Sequence, residues 1–89
     1  MANLKNAAKA ARQAEKRRQR NRHFRSTMRG RMKAVRKALE QGDLSNIDAL
    51  LQQAIKTVDH TASKGVIHKR TASRYISRLS KAVARAKAS

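Results

Sequence analysis

Apolar residues recur at helical spacing in three segments of the chain, and two glycines separate these segments. In the first segment, large apolar residues run from Phe24 to Leu39 in steps of three or four residues, which is typical of one face of an α-helix. Gly42 and Gly65 stand where a residue in the left-handed conformation can end a helix. We therefore predict three helices, at about residues 4–41, 45–63 and 69–86.

The first predicted helix has two unlike halves. Its C-terminal half can pack on a core, because it carries an apolar row on one face. The row consists of Phe24, Met28, Met32, Val35 and Leu39. Before this row the only large apolar residue after Met1 is Leu4, so the N-terminal half has no comparable face. We expect residues 1–20 to extend beyond the core and to become ordered on a partner. Gly30, inside this helix, predicts either a bend or a close backbone contact.

The second and third segments complete a small core. The apolar stripe of the second consists of Leu44, Ile47, Leu50, Leu51, Ala54, Ile55 and Val58. The inward face of the third consists of Ala72, Ile76, Leu79, Val83 and Ala86. Asp43 and Ser45 are candidate N-caps of the second helix, and Ser45 with Asp48 resembles a capping box. In the second turn, Val66 and Ile67 are expected to tuck under the bundle.

Short connections make consecutive helices antiparallel neighbours. The predicted fold is therefore all-α: residues 1–89 form a single domain, a three-helix up-down-up bundle with a long, protruding, basic N-terminal helix.

Charge is divided unevenly among these helices. The chain of 89 residues has 23 Lys and Arg against 5 Asp and Glu, a formal net charge of +18. Residues 1–37 hold 14 of the basic residues and one acid, residues 64–89 hold 8 and no acid, and the segment between them is nearly neutral. Basic residues that served only solubility would be spread evenly over all three helices. The pattern favours a polyanionic partner, and nucleic acid is the densest polyanion.

The arginines of the first helix lie on more than one side of it. At 100° per residue one stripe runs beside the apolar row, and it consists of Arg18, Arg22, Arg25, Arg29 and Arg36. Arg17, Arg20 and Arg31 fall elsewhere, which favours a rod lying between two or more nucleic-acid helices. The third helix has one exposed basic stripe, formed by Arg74, Arg78, Lys81 and Arg85. The guanidinium fork of arginine binds phosphate bidentately.

The chain lacks the residue patterns of an enzyme or a metalloprotein. It has no Cys, and His23, His60 and His68 do not share a metal-ligand spacing. The five acids form no plausible catalytic pair, and there is no glycine-rich phosphate loop. We expect no enzymatic activity, no metal and no cofactor. His23 and His60 are interpreted as surface residues, while His68 is left open between an RNA contact and a helix cap.

Two stretches of the chain resemble a known family. They are Met1-Ala2-Asn3-Leu4-Lys5-Asn6-Ala7, continuing through Arg12-Gln13-Ala14-Glu15-Lys16-Arg17-Arg18 to Asn21 and Ser26, and Lys64-Gly65-Val66-Ile67-His68-Lys69, followed by Thr71-Ala72-Ser73-Arg74 and Ser77-Arg78-Leu79. Together they resemble the S-twenty family of bacterial small-subunit ribosomal proteins across essentially the whole chain. The chain departs from the family pattern at Gly30, Arg70, Tyr75 and Ile76.

The resemblance implies a structural protein of the small ribosomal subunit that binds small-subunit (16S-type) ribosomal RNA directly and stabilises its folding during assembly. The RNA contacts it carries over are Lys5, Lys9, Arg12, Lys16, Arg17, Arg18, Asn21, Arg22, Arg25, Lys64, His68, Lys69, Arg74 and Arg78. The candidate interface also takes in Arg29 from the arginine stripe and Arg70 beside the turn. The implied setting is the cytoplasm, with other small-subunit proteins as neighbours, and without a membrane, a small-molecule substrate or a homo-oligomer.

Two other classes of function are compatible with the charge. A nucleoid-type DNA-binding protein has a similar composition, although DNA benders often insert apolar wedges and the pattern offers no exposed candidate. A membrane-active helix needs large apolar residues opposite its charges, where the N-terminal half has mostly alanine.

Overall fold

The chain folds into three helices, and the first two end close to the glycines that were predicted to end them. The computed structural model describes residues 2–89, so Met1 lies outside the described residues. Within that range the helices are α1 (Ala2–Glu40), α2 (Ile47–Ser63) and α3 (Lys69–Ala88), and no strand is formed. The all-α fold class with a long first helix is confirmed. The third helix continues two residues beyond its predicted end.

Two glycines end the first two helices, as the sequence predicted. Gly42 and Gly65 have positive φ angles of 69° and 75°, in the left-handed region that glycine enters without a Cβ clash. At the second turn the N–H of Gly65 donates to the carbonyl of Ala62 (2.9 Å), and the N–H of Val66 donates to that of Thr61 (3.2 Å). This pair of bonds is the Schellman motif, which satisfies carbonyls that the helix end leaves free.

The predicted capping box of the second helix is wrong. Helix α2 begins at Ile47 after Asn46, whose side chain makes no capping bond. The carboxylate of Asp43 instead accepts bonds from the hydroxyl (2.6 Å) and the N–H (3.3 Å) of Ser45. A local turn of this kind competes with helix formation for the same backbone group. Both bonds lower the pKa of Asp43 below its ordinary value of 3.8, and the bond from the hydroxyl has the larger effect.

The predicted apolar rows meet in one core. The buried members are Met28, Met32, Val35 and Ala38 from α1, Ile47, Ala54 and Val58 from α2, and Ala72, Leu79 and Val83 from α3. In the second turn Val66 is buried and Ile67 packs against the core, as expected. Helix α2 packs on both α1 and α3, whereas α1 and α3 share a smaller contact. The nearly neutral helix therefore lies between the two charged ones.

Five residues depart from the predicted core. Leu44 is exposed, because it precedes the first turn of α2 instead of lying within it. Phe24, Ile55 and Ala86 are only half-buried and lie outside the core cluster. Thr61, which was not predicted to be buried, is completely enclosed, and its hydroxyl donates to the carbonyl of Thr57 at 2.7 Å. This internal bond satisfies a polar group that burial would otherwise penalise.

The molecule is elongated because α1 overshoots the bundle. Its extents are 67 × 22 × 15 Å and its radius of gyration is 17.8 Å, compared with about 12 Å for a compact chain of this length. Every residue from 4 to 20 is exposed, as expected for a half without an apolar face. Gly30 lies within continuous helix, and a Cβ placed there would meet no atom within 4 Å. The predicted close contact at Gly30 is therefore wrong.

Candidate nucleic-acid interface

The turn between α2 and α3 lies against the middle of α1. The guanidinium of Arg25 donates to the carbonyl of Val66 at 3.5 Å, and the burial of Val66 holds the turn in place. Two basic segments that are far apart in sequence therefore become neighbours at the end of the bundle from which α1 protrudes. The turn adds Lys64, Lys69 and Arg70 to the basic residues of α1.

The candidate residues are presented to solvent. All except Asn21 are exposed, and Asn21 is half-buried. They occupy three places. On the free half of α1 and its first bundled turns they are Lys5, Lys9, Arg12, Lys16, Arg17, Arg18, Asn21, Arg22, Arg25 and Arg29. At the turn they are Lys64, His68, Lys69 and Arg70, and along α3 they are Arg74 and Arg78.

A basic groove marks the point where α1 leaves the bundle. It has a volume of about 360 Å³ and is lined by Ala14, Arg17, Arg18, Asn21 and Arg25. The Asn21 Oδ1 atom is buried and has no hydrogen-bond partner within the described part of the chain. Arginine donors therefore line this groove, which suits a phosphate ligand.

Acidic residues neutralise little of this charge. Arg18 pairs with Glu15 at 3.6 Å, but both side chains are more than half exposed, and such pairs contribute little to stability. Lys87 pairs with Asp48 at the opposite end of the bundle. No other Lys or Arg in residues 2–89 has a carboxylate within 4.0 Å. Like charges along the interface therefore repel one another until a polyanion binds.

Two of the arginines outside the main stripe contact other side chains of the bundle. Arg31 donates to the side-chain oxygen of Gln53 at 3.0 Å, and the guanidinium of Arg20 lies 5.8 Å from the ring centre of Phe24. Phe24 in turn lies 5.6 Å from the ring of His60. Sequence reasoning missed this Phe24–His60 pairing, because its only signal is that Phe24 stands one turn before the buried Met28.

His68 caps the third helix. Its Nδ1 accepts the N–H of Arg70 at 3.0 Å, which satisfies one of the free donors of the first turn. The capping alternative raised by the sequence is thus confirmed. Because the cap uses one ring nitrogen, the exposed imidazole keeps a second nitrogen for another partner.

The departures at Tyr75 and Ile76 are explained by packing. Both side chains are half-buried against the core, so the apolar interpretation of Ile76 is confirmed. Arg74 and Arg78 remain exposed on α3.

Residues 2–89 lack two kinds of feature that other classes of protein possess. No group of three or more His, Cys, Asp or Glu is placed to hold a metal ion. None of the helices in this part of the chain is both long and apolar enough to cross a bilayer.

Comparison with known proteins identifies relatives over nearly the whole chain. Residues 2–84 match the model of the family described as ribosomal protein S20. The small ribosomal subunit protein bS20 of Trichlorobacter lovleyi is 52% identical over 83 residues, which cover 93% of this chain and 95% of the relative. That of Anaeromyxobacter dehalogenans is 47% identical over 85 residues (96% and 92%), and that of Nitrosomonas europaea is 47% identical over 83 residues (93% and 95%).

Proposed function

Because the chain belongs to the ribosomal protein S20 family, we propose that it binds small-subunit (16S-type) ribosomal RNA directly, through phosphate contacts, and stabilises the folded RNA during assembly. Its relatives are small-subunit ribosomal proteins, so the chain has a structural role in that subunit and is not an enzyme. The exposed, uncompensated basic surface carries the proposal, because phosphate groups supply the charge that the protein lacks.

The free half of α1 is the main RNA-binding element. Residues 4–20 form about 25 Å of helix at about 1.5 Å per residue, and they are exposed on every side. Since their basic residues do not share one face, this rod can contact phosphates of more than one RNA helix at once. The segment consisting of residues 1–20 becomes ordered in that setting, because RNA supplies the contacts that the bundle does not provide.

The rest of the interface fixes how the rod is oriented. The basic turn holds phosphates beside the exit of α1, and Arg74 and Arg78 extend the same surface along α3. Residues 1–89 act as a single domain in which the nearly neutral α2 packs the two charged helices together.

The proposed setting is the cytoplasmic small subunit, where other small-subunit proteins are neighbours and the chain acts as one copy. A nucleoid-type role is less well supported. Leu4 is 71% exposed, contrary to the expectation that no exposed apolar residue is available as a wedge, but single exposed leucines are common on protein surfaces.

The test compares the full chain binding to small-subunit ribosomal RNA and to a B-DNA duplex of known length at matched salt. We expect tighter binding to the RNA, with the logarithm of affinity falling linearly against the logarithm of salt concentration. Equal affinity for both nucleic acids, or no RNA binding at moderate ionic strength, would contradict the proposal.

A matched pair of triple variants locates the interface. Arg17, Arg18 and Arg22 are changed to Gln in one variant, and Lys33, Lys37 and Lys87 are changed to Gln in the other. Both sets are exposed and remove the same charge, but only the first lies at the proposed interface. We expect the first variant to lose more RNA affinity, whereas equal losses would mean that net charge alone drives binding.

A further inference from the structure

Phe24 is an aromatic residue that the core does not use. The chain has a single Phe and a single Tyr; Tyr75 packs against the core, whereas Phe24 lies outside it and stays half-buried. A large apolar ring left at a bundle edge gains less from burial than one in the core. Its position beside the basic half of α1 therefore invites a functional explanation.

Two imidazoles frame Phe24 in a cleft between α1 and α2. The ring centres of His23 and His60 lie 6.1 and 5.6 Å from that of Phe24, with interplanar angles of 60° and 57°. The cleft has a volume of about 410 Å³, and Thr27, Lys56, Thr57 and Thr61 complete its lining. It thus offers flat π-surfaces inside an open recess that a planar group can enter.

The charges around this cleft are all of one sign. The Arg20 guanidinium lies over the Phe24 ring at 5.8 Å from its centre, and Lys56 stands on the rim. The lining contains no carboxylate in the described part of the chain. A group that fits here should combine a flat aromatic body with a nearby negative charge, which is the chemistry of a nucleotide.

We propose that this cleft binds one unpaired nucleobase of the ribosomal RNA, stacked on Phe24, with its phosphate held by Lys56. This proposal rests on the proposed function, and it adds a base-stacking contact to an interface otherwise made of phosphate contacts. Stacking is tolerant of sequence, because every base has a π-face.

Arg20 does not fill this cleft. Its guanidinium carbon lies 5.8 Å from the ring centre of Phe24, but the residues that line the cleft do not include Arg20, and its side chain is exposed. A base can therefore enter the cleft without displacing Arg20, which adds positive charge nearby.

A nucleotide titration tests the cleft without any RNA. Adenosine monophosphate and ribose 5-phosphate, which lacks the base, are added separately to the full chain, and the ring C–H proton signals of the histidines are followed by NMR. We expect adenosine monophosphate to shift the signals of His23 and His60 clearly more than ribose 5-phosphate does, because only the former carries a base that can stack on Phe24. Equal shifts of His23 and His60 with the two compounds would overturn the proposal.

Variants at Phe24 test the same contact on RNA. Phe24→Leu keeps an apolar side chain but removes the stacking surface, and it should weaken binding to small-subunit ribosomal RNA about ten-fold. Phe24→Trp should retain the affinity, which separates stacking from a packing defect. A Phe24→Leu protein that binds as wild type does overturns the stacking site and leaves the proposed function intact. If the wild-type protein does not bind the RNA at all, the proposed function is contradicted instead. The nucleotide titration then tests separately whether the cleft binds a base.

Discussion

The guanidinium of Arg25 reaches the carbonyl oxygen of Val66 across 3.5 Å, between residues that lie 41 positions apart in the chain. This contact ties the arginine-rich middle of α1 to the basic turn that precedes α3. The bond uses one of the five N–H donors of the guanidinium. Arg25 also lines a groove together with Arg17 and Arg18, where its remaining donors are available to a phosphate.

Substitutions of Arg25 should separate charge from geometry. Arg25→Lys retains the charge but loses the fork that reaches the carbonyl and a phosphate together, so we expect RNA affinity to fall about three- to ten-fold with an unchanged salt slope. Arg25→Gln should lower the affinity and also reduce that slope by about one. Salt titrations of RNA binding measure both quantities. If the Lys variant binds as tightly as wild type, the forked contact is not needed.

Alanine at two of the glycines should change stability in opposite directions. Gly65 has a φ of 75° and an open space around its missing Cβ, so Gly65→Ala should destabilise the fold through its backbone alone, by about 1–2 kcal/mol. Gly30 lies in an open helix interior, and Gly30→Ala should stabilise it by about 0.5–1 kcal/mol. Denaturant unfolding measures the change in the free energy of unfolding for both variants. Changes of the same sign would contradict the backbone explanation.

The sequence was sufficient for the helices because their signals are strong and local. The row from Met28 to Val35 has the helical period, and Gly42 and Gly65 are required by the left-handed turns that they form. The exposure of the basic residues also followed from their separation from this row. These features depend on neighbours a few residues away, which a single sequence displays directly.

Other features depended on contacts that periodicity does not reveal. The residue type of Ser45 suits a helix cap, but the neighbouring Asp43 holds it in a separate turn. Phe24 has the correct phase for the core, yet it lies one turn beyond the level at which the three helices enclose apolar side chains. The Arg25–Val66 contact could not be predicted from the sequence, because it depends on how the second turn packs against α1.

The pKa of the Asp43 carboxyl group should lie below its ordinary value of 3.8. The hydroxyl and N–H of Ser45 bind its charged form, so its folded pKa lies below 3.8. A depressed pKa stabilises the folded state above pH 3.8, and this contribution is lost as the pH falls through the lower, folded value. An NMR titration of the Asp43 side chain measures the midpoint. Ser45→Ala should move the midpoint back towards 3.8, and an unchanged midpoint in that variant would exclude Ser45 as the cause.

Variants of His68 should distinguish its capping role from its proposed RNA contact. His68→Ala removes the acceptor for the N–H of Arg70 and should destabilise the protein by about 0.5–2 kcal/mol. His68→Asn supplies another good N-cap, so it should restore stability while it lacks the ring. Thermal unfolding and RNA binding are measured on both variants. If the Asn variant binds RNA with wild-type affinity, His68 acts only as a helix cap and makes no RNA contact.

The free half of α1 should exchange its amide hydrogens rapidly until RNA binds. Residues 4–20 are exposed throughout, and no acidic residue in the first turn balances the helix dipole. Most helical stability in proteins comes from tertiary packing, which this segment lacks, and its cations repel one another. The free energy of local unfolding should therefore be small in this half, even though α1 is one continuous helix from Ala2 to Glu40.

Hydrogen exchange followed by NMR or mass spectrometry measures this difference directly. In the free protein, amides of residues 4–20 should exchange much faster than those of Val35 and Val58, which are completely buried. Bound small-subunit ribosomal RNA should slow the first group strongly, because phosphate contacts then add to the free energy of opening. Uniformly slow exchange across residues 4–20 in the free chain would show that this rod is stable without RNA and would refute its ordering on binding.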